Sequence, residues 1–382
     1  MSAATPFTIQ IPDAALSDLR ARLKRVRWPD EIPGAGWTYG ADLTYVKSLV
    51  AHWRESYDWR AHEAALNRFP QFTAPVAGID LHFIHAPGVG PRPLPLLLAH
   101  GWPGSVWEFH RILPMLTNPA ASGGNPADAF TVVAPSLPGY GFSFTANQPR
   151  FGIVEIADAF ATLMTEVLGY SRFGAQGGDW GSFIVSRLGF AYAGRVAGVH
   201  LNMLPVGPER GRAVEFTDEE KRYLAEARAW QREEAAYQAI QGTRPQTLAY
   251  ALTDSPVGLA AWIVEKFRAW SDCDGDVERR FSKDVLLTNV MIYWLTGAIG
   301  SSFWPYWQLR HRPWWPSATE RVPVPTAYAA FPREILRPPR AWAERAYDLR
   351  RWTAMSAGGH FAALEEPAAL VNDIRAFFRP LR

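Results

Sequence analysis

Gly177-Gly178-Asp179-Trp180-Gly181 sets one acidic side chain among small residues, after a stretch that reads as a strand and before one that reads as a helix. This small-x-acid-x-small pattern has the form of a nucleophile elbow, a turn so tight that side chains at 177 and 181 would clash with its walls. An elbow holds its central residue at the carboxyl edge of a sheet, against a helix N-terminus. Serine is the usual occupant, but here Asp179 has the position and Ser182 lies off it. A carboxylate is a poor acyl-transfer nucleophile, yet it displaces at saturated carbon and forms an ester of the protein. The plainer alternative is an N-capping aspartate in a glycine turn, and the motif alone leaves both open.

Turning such an ester over needs three partners. The first is an oxyanion hole from the loop after an earlier strand. HGWPGS (100–105) follows the apolar run 93–99 and stands in that place, so that the backbone N–H groups of Trp102 and Trp180 are candidates to share one oxygen. The Trp102–Pro103 bond is a candidate for cis, which would help to aim the loop. The second partner is a late histidine. Of the nine histidines only His360, in GGHF, lies beyond residue 311, and the chain order nucleophile, acid, histidine singles it out. The third is an acid following a strand between Asp179 and His360, to orient the imidazole and stabilise its charged form. Glu334, after VPTAYAAFPR, fits; Glu344 is a rival. Taken singly, each has an ordinary reading: a Gly/Pro connection, a structural histidine, a solvated carboxylate.

The elements that must position these residues follow from periodicity. Residues 1–75 read as a helical preface, with Asp13 as an N-cap before Leu16, Leu19 and Leu23, and a second helix over about 41–56. Strands are predicted at 79–86, 93–100, 131–141 (running into a turn) and 196–203, with a helix from near Ser105. Ile153, Ile156, Phe160, Leu163 and Val167 share one helix face that Gly169 ends. The elbow's own strand and helix fill 172–193. From 205 to 316 the alternation stops: Thr217 and Glu220 form a capping box, and helical segments cover 246–270 and 284–298. Strands resume at 321–331 and 351–358, and Leu370, Ile374 and Phe377 mark a closing helix. Alternating strands and helices imply an α/β fold with a mostly parallel sheet and helices on both faces.

Composition narrows the rest. With 382 residues, 48% hydrophobic and 20% charged, the chain reads as a globular enzyme, and a net charge of +2 argues against nucleic acid or an acidic membrane surface as partner. Its single cysteine, Cys273, cannot make an intramolecular disulfide and fits a reducing cytoplasm. No leader pattern and no apolar run of about 18 residues is seen, so no membrane anchor is expected. No ligand cluster or dinucleotide fingerprint appears, so no metal or organic cofactor is expected. Seventeen tryptophans and 21 phenylalanines are enough to fill a core and line an apolar pocket.

HGWPGS, SLPGYGFS, GGDWGS, DSPVGLAAWIVEKF, TNVMIYWLTGAIGSS, AFPREIL and GGHFAALEEP, together with the N-terminal PFTIQIPDAALSDLRARLKRVRWPD, resemble the microsomal-type epoxide hydrolases over nearly the whole chain. The absence of an anchor looks like the bacterial members. The resemblance implies an α/β-hydrolase fold with an eight-stranded sheet. It implies an N-terminal segment (1–75) wrapping a core (76–204 and 317–382), and a helical lid (205–316). It also implies two lid tyrosines that activate an epoxide oxygen. One matches Tyr237, with Tyr223 and Tyr250 nearby, and the other Tyr306, at its spacing from Ser301-Ser302. AFPREIL supports Glu334 as the acid and GGHFAALEEP supports His360 as the base.

The implied reaction turns a small-molecule epoxide, bulky or aromatic given the aromatic content, into a vicinal diol through an Asp179 ester. Detoxification and biosynthesis of a secondary metabolite are both open, as is a homodimer. A haloalkane dehalogenase would share the aspartate, the histidine and the tryptophan after the nucleophile, but would need neither two lid tyrosines nor this N-terminal segment. A non-catalytic binder of the same fold would have damaged machinery, whereas every candidate group is present.

Overall fold

The computed structural model describes residues 4–207, 215–316 and 320–382. Its nine strands form one sheet in the order β1-β2-β3-β5-β4-β6-β7-β8-β9. They are β1 (Thr5–Phe7), β2 (Gln71–Val76), β3 (Ile79–Ala86), β4 (Leu94–Ala99), β5 (Phe130–Pro135), β6 (Phe173–Gly177), β7 (Val196–Leu201), β8 (Val322–Ala330) and β9 (Tyr347–Ala354). Strands β1, β2, β3 and β5 pair antiparallel in succession, and from β5 through β4 to β9 all pairs are parallel.

Among the described residues the count is nine rather than eight, because Thr5–Phe7 add an edge strand, β1. Three residues carry too little periodicity for a strand to be read from them. Residues 1–75 are therefore not purely helical: β1 and most of β2 lie among them. The boundary set at 317 lies outside the described residues.

The fully buried β4 shows why an unbroken apolar run was needed. Leu97 and Ala99 point to the face packed by helices Ile153–Thr162 and Asp179–Ala191, and Leu96 and Leu98 to the face packed by Ile112–Thr117 and Pro367–Phe378. Several limits differ in detail. Pro12 rather than Asp13 is the N-cap of helix Asp13–Lys24, whose Leu16, Leu19 and Leu23 are buried. The stretch 246–270 is two helices, Pro245–Asp254 and Pro256–Trp270, bent by 116°. Pro256 has no N–H to continue the first helix and instead opens the second, capped by Ser255. Trp59–Asn67 is a further helix that sequence periodicity did not reveal.

The N-terminal helices brace the helical layer that follows β7. His52 Nε2 lies 2.6 Å from Asp284 Oδ1, Tyr57 Oη 3.1 Å from Thr288 Oγ1, and Arg22 Nη1 3.1 Å from Asp254 Oδ1. Among the described residues no single helix is long and apolar enough to cross a membrane.

Candidate active site

Strands β4 and β6 are adjacent, yet the chain leaves β4 toward β5 on one side and reaches β6 on the other. A crevice opens at the carboxyl ends of strands where connections diverge in this way. Asp179 sits there, as the first residue of helix Asp179–Ala191, with φ +46°. For a non-glycine residue this left-handed backbone costs on the order of 1–2 kcal/mol. The flanking glycines are steric requirements. A Cβ on Gly177 would strike the Gly181 backbone, and one on Gly181 would strike the Ala99 carbonyl of β4. Ser182 Oγ donates to the Asp179 carbonyl at 2.6 Å and is buried, which makes it part of the turn's scaffold.

The HGWPGS loop meets the carboxylate. Trp102 N–H donates to Asp179 Oδ1 at 2.7 Å, and the Trp102–Pro103 peptide is cis. A Cβ on Gly101 would overlap the Asp179 side chain, so only glycine lets the backbone come so close. Of the two amides singled out, Trp102 is hydrogen-bonded to the carboxylate. Trp180 N–H lies in the helix's first turn, where amides lack intrahelical partners.

The loop is rigidly held. His100 Nδ1 is 3.1 Å from the Gly101 carbonyl, and Leu137 N–H donates to His100 Nε2 at 3.2 Å, which fixes a neutral imidazole; burial lowers its pKa to about 4. Asn289 Nδ2 donates to the Pro103 carbonyl at 2.7 Å, Ser105 Oγ to Asn289 Oδ1 at 2.8 Å, and Tyr293 Oη to the Gly104 carbonyl at 2.7 Å. Asn289 and Tyr293 were not foreseen. Helix Lys283–Thr296 also carries Lys283, Asp284, Thr288 and Thr296, so no sequence pattern marks the two.

His360 closes the other side. Its Nε2 lies 3.4 Å from Asp179 Oδ2 and its Nδ1 2.7 Å from Glu334 Oε1. Burial alone would lower the pKa of His360; the charges and hydrogen bonds of Glu334 and Asp179 outweigh it and hold that pKa well above its ordinary value. Glu334 is 3% exposed, whereas the rival Glu344 pairs with Arg340 on the surface. The histidine's loop is stapled to the end of helix Pro256–Trp270. His360 N–H donates to the Trp270 carbonyl (2.9 Å) and Gly358 N–H to Asp272 Oδ2 (2.9 Å). Glu365 accepts from both Asp272 N–H (2.7 Å) and Phe361 N–H (3.0 Å). Arg280 bridges Asp272 and Glu366 at 3.0 and 2.9 Å.

Opposite the carboxylate, the rings of Tyr237 (helix Ala236–Thr243) and Tyr306 (helix Trp304–His311) meet at 5.7 Å between centroids. Trp102 stacks on Tyr237 at 5.2 Å and meets Tyr306 edge-on at 5.9 Å; Trp180 meets Tyr306 edge-on at 4.6 Å. Burial raises both phenol pKa values well above normal, and the Asp179 charge adds to it, so both remain O–H donors. The rivals lie elsewhere: Tyr223 packs against Trp342, and Tyr250 is 73% exposed.

The geometry thus joins an alkylatable carboxylate, an amide at one of its oxygens, a carboxylate-oriented imidazole at the other, and two facing phenols. Comparison with known proteins gives it a lineage. A family model for the epoxide hydrolase N terminus matches residues 4–109, and one for the alpha/beta hydrolase fold matches 95–367. Epoxide hydrolase 1 of Oryctolagus cuniculus is 39% identical over 400 residues, covering 97% of this chain and 88% of that protein. The juvenile hormone epoxide hydrolase structure from Bombyx mori superposes with TM-score 0.89 at 30% identity, over 100% of this chain and 95% of that one. The Aspergillus niger epoxide hydrolase structure does so with 0.85 at 30%, over 99% and 97%. This chain belongs to the epoxide hydrolase family of the α/β-hydrolase fold.

Proposed function

We propose that the protein hydrolyses an epoxide to a vicinal diol through an ester on Asp179. Tyr237 and Tyr306 hydrogen-bond the epoxide oxygen while the Asp179 carboxylate attacks one ring carbon from the opposite side. The ring C–O bond breaks and its electron pair goes to the oxygen, which takes a tyrosine proton. Alkylation removes the Asp179 charge, and with it one of the two carboxylates that hold the His360 pKa up. The imidazole is thereby readied as a base, still oriented by Glu334. It deprotonates a water that attacks Asp179 Cγ, and the Trp102 and Trp180 N–H groups hold the resulting oxyanion; the diol leaves with the imidazolium proton, and the proton left on the re-formed Asp179 carboxyl returns to the tyrosinate. General-base assistance of this kind contributes about 10²–10⁴-fold.

The observation that carries this reading is the carboxylate in the elbow, one oxygen on Trp102 N–H and the other facing His360 Nε2, with two phenols across from it. The tyrosine pair favours an epoxide over a carbon–halogen bond, because halide leaves without a proton. Trp102, Trp180, Trp270 and Phe303 around the tyrosines favour a bulky or aromatic epoxide. We read residues 1–75 as a brace around the core and 205–316 as its lid. The lone buried thiol of Cys273 suits a cytoplasmic enzyme. One turnover of a styrene-oxide-like substrate in ¹⁸O-labelled water tests the route. Label is expected in the Asp179 peptide; label passing directly into the first diol would sink it.

A further inference from the structure

Beside the carboxylate lies a small cavity of about 20 Å³, lined by Asp179, His360, Glu108, Gln176, Asn202 and the HGWP loop. That is room for one water, since a site needs about 10–15 Å³ of this kind and two to four polar partners. Neither Tyr237 nor Tyr306 lines it, so it reaches the carboxylate from a side other than the phenols'.

Two of its polar groups have no part in the chemistry so far. Gln176, on β6, is 2% exposed; its Nε2 donates to Asn202 Oδ1 at 2.7 Å, which turns Oε1 away from that partner and leaves it buried without one among the described residues. A buried acceptor left so is destabilising unless a water meets it. Glu108, in the turn Val106–Phe109, lays its carboxyl against Gly104, where any Cβ would displace it.

We propose that this cavity holds the water that hydrolyses the Asp179 ester, and that Glu108 and Gln176 fix it by accepting its second O–H while His360 Nε2 takes the first. The proposal rests on the ester route above. The water's O–H bond breaks toward His360, its oxygen bonds to Asp179 Cγ, and the ester C–O bond breaks. The electron pair leaves on the diol oxygen, which recovers the proton from the imidazolium. Burial pushes the Glu108 carboxyl up to about 8, with His360 opposing and Asp179 adding to the rise. Near neutrality it thus offers a carbonyl oxygen without a second negative charge beside Asp179.

Rapid-quench mass spectrometry of the intact protein, with styrene oxide as probe, reads ester formation and ester hydrolysis separately. Glu108→Leu fills the volume and removes the acceptor. It is expected to slow hydrolysis about 10-fold or more, one charge-free hydrogen bond's worth, and to leave ester formation within about twofold. Glu108→Gln, which keeps a carbonyl, is expected to restore most of the rate. Unchanged hydrolysis, or equal slowing of both steps, overturns the assignment. If Glu108→Leu does not fold, Gln176→Met carries the same test with the same outcomes. His360→Gln separates the two levels: no ester trapped there defeats the ester route itself, and an ester trapped there with a silent Glu108→Leu defeats only the water site.

Discussion

His360 Nε2 faces Asp179 Oδ2 at 3.4 Å while the same carboxylate's Oδ1 is held by a backbone amide. The imidazole and the carboxylate are therefore electrostatically joined before any substrate arrives. Replacing Asp179 by Asn removes one of the charges that raise the imidazole pKa. The His360 titration, followed by NMR, should move to lower pH, and turnover should fall on the order of 10⁴–10⁶-fold. An unmoved imidazole would contradict the coupling; undiminished turnover in Asp179→Ala would contradict the nucleophile.

The same pairing makes stability depend on pH. A histidine whose folded pKa is raised contributes stability fully below its unfolded value, near 6.5, and loses it as pH rises through the higher folded value. Thermal unfolding from pH 6 upward should therefore show an alkaline decline that is weaker in His360→Gln. Parallel curves for the two proteins would count against a charged resting imidazole.

Besides accepting from Ile335 N–H at 2.6 Å, Glu334 meets His360 Nδ1 at 2.7 Å, so its loss should fall on the second chemical step. Glu334→Gln is expected to slow ester hydrolysis by about 10²–10⁴-fold and to accumulate alkylated protein, with ester formation little changed. Intact-protein mass spectra at millisecond times measure both rates.

The phenols should show the reverse pattern. Tyr237→Phe and Tyr306→Phe each remove a hydrogen bond to a developing alkoxide, worth about 1.5–3 kcal/mol, or roughly 10- to 150-fold in ester formation. The double variant should lose more than either single one. Slower hydrolysis with normal ester formation would place the phenols elsewhere in the cycle.

A buried group outside the site should matter for stability alone. Asp373, on the closing helix, meets His200 Nε2 at 3.0 Å on β7, and Arg351 and Thr353 on β9 at 2.6 and 2.7 Å. Burial opposes its ionisation, but these partners win and hold its pKa at about 2. Its contribution is thus present above the unfolded value near 3.9 and lost as pH falls through about 2. Asp373→Ala should cost about 3 kcal/mol in urea unfolding at neutral pH, with kcat/KM of the folded protein unchanged.

The parts of this design legible in the sequence are those where backbone geometry restricts residue choice. Gly177 and Gly181 announce the elbow because nothing larger fits between the turn's own backbone and β4, and an unbroken apolar run announces β4 itself. Chain order singles out His360, and its place after a strand singles out Glu334, because connectivity limits where such groups can stand; the fold puts the two within hydrogen-bond distance of each other. Tyr237 was different. Helical periodicity does not distinguish it from Tyr223 or Tyr250, and only resemblance chose it; the fold then separates them by which ring faces Trp102. Pro256 could have warned that 246–270 is broken, since a proline's predecessor resists the helical conformation. Glu108, Gln176, Asn289 and Tyr293 were illegible for a common reason. Each acts across the gap between elements far apart in sequence, and none carries a local pattern.

The helical layer also has consequences for traffic. It is riveted at two corners, at Trp270–Asp272 to the histidine's loop and at Asn289 and Tyr293 to the loop that holds Trp102. Further fastenings reach the phenol-bearing side: Tyr140 Oη donates to the Ser302 carbonyl at 2.7 Å, just before helix Trp304–His311, and Gln308 Nε2 on that helix to Glu155 Oε1 at 3.3 Å. Swinging the layer open as one flap would pull the imidazole, the amide and both phenols out of register together. A layer pinned on so many sides is a fixed frame, so a reactant has to fit it and cannot count on reshaping it.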